Sequence, residues 1–152
     1  MNTPEFLSFF PGFRYQTLDD KSMKGAVPKR LAIKRLQTFH PSTWYTDEKL
    51  SNMNMEGAGI FFTPNNFSNA NRRLASNCIG VNAWFTESDS GTKESQMERI
   101  KKNSFLEPSF IVETSSSLHT YWLAKDASIS NFRRIQEKLI HYFNGDKAIK
   151  DI

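Results

Sequence analysis

The sequence predicts an α+β domain with a largely antiparallel sheet, and three segments carry that prediction. Residues 79–85 are an alternating apolar run typical of a strand, and a helical segment follows at 93–102. Residues 110–123 contain two apolar runs separated by a polar tetrapeptide, which is the spacing of an antiparallel hairpin. A helix crossover and a hairpin in one chain indicate a mixed sheet flanked by helices.

Shorter patterns cover the first half of the chain. Gly57 to Thr63 (GAGIFFT) is bounded by Pro64 and suits a buried strand, and residues 68–76 are expected to form a helix that carries Arg72 and Arg73. The other predicted elements there are helices at 4–10, 29–37 and 42–53, a strand at 13–18 and a loop at 21–28, with Ser42 as N-cap of the third helix.

The second half has clearer signals for where helices begin and end. Thr92 is expected to cap the helix at 93–102, with Met97 and Ile100 facing the sheet. A last helix is predicted from about Ser130 to Asn144, with Gly145 as its stop. Its apolar stripe consists of Phe132, Ile135, Leu139, Tyr142 and Phe143.

Length and composition favour one intracellular domain. The 152 residues are 38% apolar, which suits one core, so we predict a single domain over 1–152 with an N-terminal part at 1–56 and the chemical motifs at 57–152. The sequence has no membrane span and no export signal, and a cytoplasmic location is expected. The single cysteine, Cys78, excludes an internal disulfide framework and is expected to be buried.

The net charge of +4 and the pI near 9.2 permit binding to a polyanion. Arg72 and Arg73 stand together near the middle of the chain, and an earlier segment is also basic. A solvated helix face is the alternative interpretation of the earlier segment. The basic residues of that segment are Lys21, Lys24, Lys29, Arg30, Lys34 and Arg35.

Glu87 and Asp89 lie two residues apart at the end of the strand that begins at Ile79. Continued strand geometry would project both carboxylates from one face, where their charges need a cation. Oxygen ligands of this type select Mg²⁺ or Mn²⁺, which bind nucleotide phosphates. An acidic turn at a strand end is the alternative interpretation.

His119 shares a strand face with Tyr121 and Leu123, so it either contacts a bound nucleotide or has a structural role. His40 is placed in a loop and His141 in the last helix, and neither has a metal-ligand spacing to a partner. This absence argues against a two-histidine nicking endonuclease.

In combination, these motifs resemble the archaeo-eukaryotic primase superfamily, and most of all the RepB-like primase-polymerases of plasmids, phages and other mobile elements. The resemblance runs from about Gly57 to Asp151 through the segments GAGIFFTPN, NRRLASN, VNAWFTESDSGTKESQ, EPSFIVETSSSLHTYWL and FNGDKAIKD. It implies an RRM-like catalytic core and metal-dependent nucleotidyl transfer on a single-stranded DNA template, with NTP or dNTP as substrate.

The resemblance also implies roles for individual residues. Glu87 and Asp89 would hold two divalent ions, with Asp146 as third ligand and Asp151 in reserve. Ser117 and His119 match the family's Ser-x-His motif, whose histidine contacts the nucleotide phosphates. The further expected contacts are Arg73, Lys93 and Gln96 with the nucleotide, and Arg72, Arg73, Lys29, Arg30 and Lys34 with nucleic acid.

Two features depart from the family pattern. The first acid is Glu87 where many relatives carry Asp, a longer side chain that can shift ion placement. The chain also ends at Ile152, before the Arg-x-Pro-Gly stretch of relatives, so the alternatives are a C-terminally truncated fragment and a natural short form, with a helicase domain or protein as partner in the full-length context.

Two other functions remain open on the sequence, a non-catalytic nucleic-acid-binding module for replication initiation and a metal-dependent nuclease. Trp44, Trp84 and Trp122 could stack on unpaired bases. For Trp84 and Trp122 core packing is favoured, because their strand positions are opposite the acidic and histidine faces.

Overall fold

The computed structural model describes residues 1–19, 38–41, 47–55, 58–68, 74–103 and 105–150. The chain divides into two compact units, Met1–Ile79 and Gly80–Ile152. The chemical motifs at Glu87, Asp89, Ser117 and His119 all lie in the second unit. No helix in the described part of the chain is long and apolar enough to cross a bilayer.

The first unit contains a three-stranded antiparallel sheet. Its elements are helix α1 (Thr3–Leu7), strands β1 (Arg14–Asp19) and β2 (Thr38–Pro41), helix α2 (Asp47–Met55), strands β3 (Ala58–Thr63) and β4 (Asn66–Phe67), and a 3₁₀ turn at Ala75–Asn77. The strand order is β2-β1-β3. The Phe62 ring lies 5.6 Å from that of Phe6 and 5.3 Å from that of Phe10, which joins α1 to the sheet.

Several predictions for this unit need correction or fall outside the described residues. His40 lies in β2 and not in a loop, because it pairs with Tyr15 of β1, a partner distant in sequence. The helix predicted at 4–10 ends at Leu7. The elements expected at 21–37 lie outside the described residues, as do Ser42, Trp44 and most of the helix expected at 68–76. The end of that helix, at 75–76, lies in the 3₁₀ turn Ala75–Asn77.

The second unit is a sheet with helices packed on it, and β5 begins just before its boundary. Its elements are strand β5 (Cys78–Ser88), helix α3 (Lys93–Lys102), strands β6 (Phe110–Glu113) and β7 (Leu118–Ala127), helix α4 (Phe132–Phe143), and 3₁₀ turns at Ile129–Asn131 and Lys147–Ile149. Strand β7 pairs antiparallel with both β5 and β6. The α+β class and the hairpin are thereby confirmed.

Helices α3 and α4 bury their apolar residues on one face of this sheet. The core cluster contains Ile100, Leu118, Trp122, Leu139 and Phe143, with Trp84, Met97 and Ile135 packed against it. This confirms the predicted inward face of α3 and the packing role of Trp84 and Trp122. Glu87 and His119, at the alternate strand positions, project from the opposite face.

Helix α4 differs from its prediction at two places. Tyr142 is 56% exposed, and Ile140 is buried in its place. The helix is terminated by Asn144, which adopts a left-handed conformation with φ of 50°, and not by Gly145. The Gly145 N–H then donates to the Ile140 carbonyl at 2.9 Å, so asparagine serves as the C-terminal cap that glycine usually provides.

The alternation predicted along β5 is interrupted. The register with β7 shifts between Val81 and Ala83, and Ile79 is exposed while Val81 and Ala83 are buried. Asp126 of β7 has φ of 55° in this irregular stretch. From Ala83 to Ser88 the pairing is regular, and this part of β5 positions the acidic motif.

Candidate active site

The candidate site is built on the cross-strand pair of Glu87 in β5 and His119 in β7. The two residues are directly opposite each other in the register. Glu87 Oε1 lies 3.4 Å from His119 Nε2, and each side chain is about one third exposed. The sheet therefore brings together two motifs that are 32 residues apart, with both groups accessible to a ligand.

Ser117 connects the members of this pair. Its Oγ lies 3.3 Å from Glu87 Oε1, 3.1 Å from His119 Nε2 and 2.8 Å from Thr114 Oγ1. A carboxylate only accepts hydrogen bonds, so the serine proton goes to Glu87 and the proton between serine and histidine resides on His119 Nε2. Nε2 of His119 therefore lies beside both the Ser117 hydroxyl and the Glu87 carboxylate.

The electrostatics of the pair favour an ionised glutamate. The hydrogen bond from His119 is the largest influence and lowers the pKa of Glu87 below the ordinary value of 4.5. Partial burial opposes this shift, while the charge of His119 and the Ser117 hydrogen bond add to it. Beside them, burial and then the charge of Glu87 raise the pKa of Tyr121, so its hydroxyl stays protonated.

Asp89 lies one residue beyond the end of β5 and is exposed. The residues on either side of it are held by α3, because Arg99 Nη2 donates to Ser88 Oγ at 2.9 Å and to the Ser90 carbonyl at 2.6 Å. Gly91 follows with φ of 82°, and a β-carbon there would meet Ser95 Oγ at 2.6 Å. This segment is therefore a defined turn.

Asp146 contacts the site with its backbone N–H and not with its carboxylate. Its N–H donates to the Glu87 carbonyl at 2.8 Å, whereas its carboxylate accepts from the Ala148 N–H at 2.9 Å. A β-carbon on Gly145 would lie 3.2 Å from the same Glu87 carbonyl. The chain after α4 thus packs directly against the acidic strand, while the Asp146 carboxylate caps the final 3₁₀ turn.

The structure places the two predicted nucleotide contacts of α3 in different surroundings. Lys93 Nζ lies 2.6 Å from Glu113 Oε1 and is partly exposed. Gln96 has no exposed surface, and its Nε2 donates to the carbonyls of Gly91 at 3.3 Å and Ser116 at 3.2 Å. The remaining predicted contacts lie outside the described residues: Lys29, Arg30, Lys34, Arg72, Arg73 and Asp151.

The side chains of the site suit Mg²⁺ or Mn²⁺ by their chemistry. Within the described ranges, no three or more His, Cys, Asp or Glu side chains group as a metal site. Mg²⁺ is commonly bound through one or two carboxylates, with waters and substrate phosphates completing its coordination. Glu87 and Asp89 provide two such carboxylates, so the donor set fits this ion.

Sequence reasoning missed two residues of this network. Thr114 holds Ser117 through hydroxyl and backbone contacts, and Arg99 binds the turn that contains Asp89. The spacing Thr-x-x-Ser in the hairpin connection was a usable signal, since such hydroxyls bond locally across turns. Arg99 follows Gln96 by three residues and so shares its helix face.

No protein-family model matches the chain, and no curated protein is significantly similar to it in sequence. A solved structure that is similar to it is the AEP domain of the cyanophage S-2L primase-polymerase (PrimPol), where AEP stands for archaeo-eukaryotic primase. The match has a TM-score of 0.72 and 19% identity, and it covers 97% of this chain and 75% of the other. The chain therefore has the α+β fold of an archaeo-eukaryotic primase domain, as its motifs predicted.

Proposed function

We propose that this chain is the nucleotidyl-transfer domain of a DNA primase-polymerase that serves replication initiation of a mobile element. The contact of Glu87 with His119 and Ser117 carries the proposal, because the acidic and Ser-x-His motifs meet at one accessible place. The fold shared with a PrimPol domain supports it. The proposed substrates are NTP or dNTP and a single-stranded DNA template, with a helicase as further partner.

In this proposal Glu87 and Asp89 hold Mg²⁺ or Mn²⁺, with Asp151 as a further ligand, because the Asp146 carboxylate caps the final 3₁₀ turn. A divalent ion bound there supplies positive charge that neutralises the triphosphate and favours attack by a 3′ hydroxyl. His119 contacts the phosphates of the incoming nucleotide. Ser117 is buried, so it acts by holding His119 and Glu87 in place.

Lys93 of α3 is a cation that can add to phosphate binding. It is partly exposed, and its ion pair with Glu113 lies at the surface, where such pairs contribute about 0–1 kcal/mol. Exchange of Glu113 for a phosphate oxygen therefore costs little. The basic residues Lys29, Arg30, Lys34, Arg72 and Arg73 are proposed to bind the template backbone.

The test is template-directed incorporation with Asp89→Asn, in manganese, on a primed single-stranded template. Incorporation should fall by about 10²-fold or more, the range for loss of one charge-stabilising group at a transition state. The matched control is Glu107→Gln, which removes an exposed carboxylate outside the site and should keep full activity. Unchanged incorporation by Asp89→Asn would contradict the proposal, and metal-dependent cleavage by the wild type would indicate a nuclease.

A non-catalytic nucleic-acid-binding module is the second candidate. The fold shared with a PrimPol domain at 19% identity is equally compatible with this function. On this alternative, wild type and Asp89→Asn both bind single-stranded DNA equally well and neither incorporates nucleotide. Gel-based extension and DNA-binding assays on the same preparations separate the two candidates.

A further inference from the structure

Arg99 of α3 binds both neighbours of Asp89. Its Nη2 donates to the Ser90 carbonyl at 2.6 Å and to Ser88 Oγ at 2.9 Å, with Ser90 Oγ at 3.5 Å. Ser88 is buried, whereas Asp89 is exposed. A guanidinium that holds residues 88 and 90 restricts the backbone of residue 89 between them, and so restricts where its carboxylate can lie.

Gln96 lies one helical turn before Arg99 and joins this turn to the hairpin connection. The same Nε2 donates to Gly91, which ends the acidic turn, and to Ser116, which precedes Ser117. One amide group therefore spans the two segments that carry Asp89 and the Ser-x-His motif. Helix α3 thus contacts both the turn that contains Asp89 and the connection that precedes Ser117.

This arrangement has an energetic cost that packing alone does not justify. Gln96 Oε1 and Arg99 Nε are buried, and neither atom has a hydrogen-bond partner among the described residues. A buried polar atom left without a partner destabilises a fold, and apolar side chains of similar size would avoid that cost. The hydrogen bonds that Gln96 and Arg99 make to the acidic turn and to the hairpin connection offset that cost.

We infer that Gln96 and Arg99 are positioning residues, which set the placement of Asp89 relative to Glu87, Ser117 and His119 through the two turns. The inference rests on the proposed function for its role in nucleotidyl transfer. It assigns Gln96 to the support of the site and not to nucleotide contact, because the side chain has no exposed surface.

The experiment compares Arg99→Met with Arg99→Lys, which keeps a cationic donor, and with the matched control Arg133→Met. Arg133 is an exposed arginine on α4 whose Nε pairs with Glu137 Oε1 at 2.9 Å. Three quantities are measured without turnover: the affinity for Mn²⁺ alone by electron paramagnetic resonance, amide hydrogen exchange at residues 88–91, and the melting temperature. Gln96→Met is measured in parallel, with exchange followed also at Ser116 and Ser117.

Arg99→Met should weaken Mn²⁺ binding about tenfold, within the range for groups that orient metal ligands, and should accelerate exchange at residues 88–91. Arg99→Lys should recover part of both effects, and Arg133→Met should change neither. Wild-type exchange and Mn²⁺ affinity in Arg99→Met would overturn the inference, as would an equal loss in Arg133→Met. A wild type that binds no Mn²⁺ would count against the proposed function, and the exchange data would then decide the positioning role.

Discussion

Ser117 has one hydroxyl proton and three side-chain neighbours, and this limits the protonation states of the site. Thr114 supplies a hydroxyl on one side, and Glu87 and His119 supply the carboxylate and the imidazole on the other. Only one arrangement gives the carboxylate a donor from both partners: serine donates to Glu87, and His119 Nε2 carries a proton. At the scale of the residue, the Ser117 hydroxyl thus joins the Glu87 carboxylate to the His119 imidazole.

Ser117→Ala tests the contribution of this hydroxyl to stability and to the pKa of Glu87. Loss of this buried hydroxyl removes its hydrogen bonds to Glu87, His119 and Thr114, so the free energy of unfolding should fall by about 1–2 kcal/mol. The pKa of Glu87 should rise toward its ordinary value, because one hydrogen bond that lowers it is gone. Urea unfolding and an NMR titration of the glutamate carboxyl measure the two effects. The control is Ser130→Ala, which removes an exposed hydroxyl that bonds to that of Ser128 and should show neither effect.

Glu87→Gln tests the charge of the pair through pH. The pKa of Glu87 is lowered in the folded state, so its ionisation stabilises the fold above the unfolded value near 4.5, and this stabilisation disappears as pH falls through the folded pKa. In EDTA, the free energy of unfolding of the wild type should therefore fall more than that of Glu87→Gln below pH 4.5. From pH 6 to 7, the unfolding free energies of the two proteins should run parallel wherever the charge of the site is constant. Equal slopes of unfolding free energy below pH 4.5 would contradict the ion pair.

At the scale of elements, α4 supports β5 through one buried glutamine in its apolar face. Gln136 Nε2 donates to the Phe85 carbonyl at 2.6 Å and to the Ile149 carbonyl at 3.0 Å, and its Oε1 accepts from the Phe85 N–H at 3.3 Å. The side chain thus satisfies the backbone N–H and carbonyl of Phe85 in β5, two residues before Glu87. Gln136 is therefore polar within the apolar face of α4 because its amide pairs with backbone groups that need hydrogen-bond partners.

Gln136→Leu should destabilise the protein by about 1–3 kcal/mol, because the backbone groups of Phe85 lose their partners in a buried place. The change in chemical denaturation midpoint measures this loss. Lys138→Leu on the exposed face of the same helix is the control and should stay within about 0.5 kcal/mol of the wild type. Equal stability of the two variants would show that the glutamine contacts contribute nothing.

At the scale of the whole molecule, the net charge of +4 predicts that the proposed binding to single-stranded DNA is mainly electrostatic. If about three phosphates are contacted, the dissociation constant should rise by about tenfold or more between 50 and 200 mM salt. Lys29→Glu with Arg30→Glu should reduce both affinity and salt slope, whereas Lys138→Glu should not. Fluorescence anisotropy with a labelled oligonucleotide measures these slopes, and a slope that none of the variants changes would reject the basic segment as the binding region.

Much of the second unit was predictable because its signals are local. The N-cap Thr92 and the helix that follows, the hairpin around Ser117 and the buried face of α4 all follow from residues close in sequence. The strand of His40 was missed because its pairing partners lie more than twenty residues away, on β1. The polar roles of Gln96, Arg99 and Gln136 were missed for the same reason, since their partners are carbonyls and hydroxyls of other segments.

The sequence by itself determined the α+β class, the acidic motif at Glu87 and Asp89, and the Ser-x-His motif at Ser117 and His119, because each depends on periodicity or spacing within a short segment. Only the tertiary structure decided that Glu87 and His119 are opposite each other and that the Asp146 carboxylate is turned to a helix cap. The physical reason is that strand register between distant segments is set by the burial of a whole sheet face, which no single motif encodes.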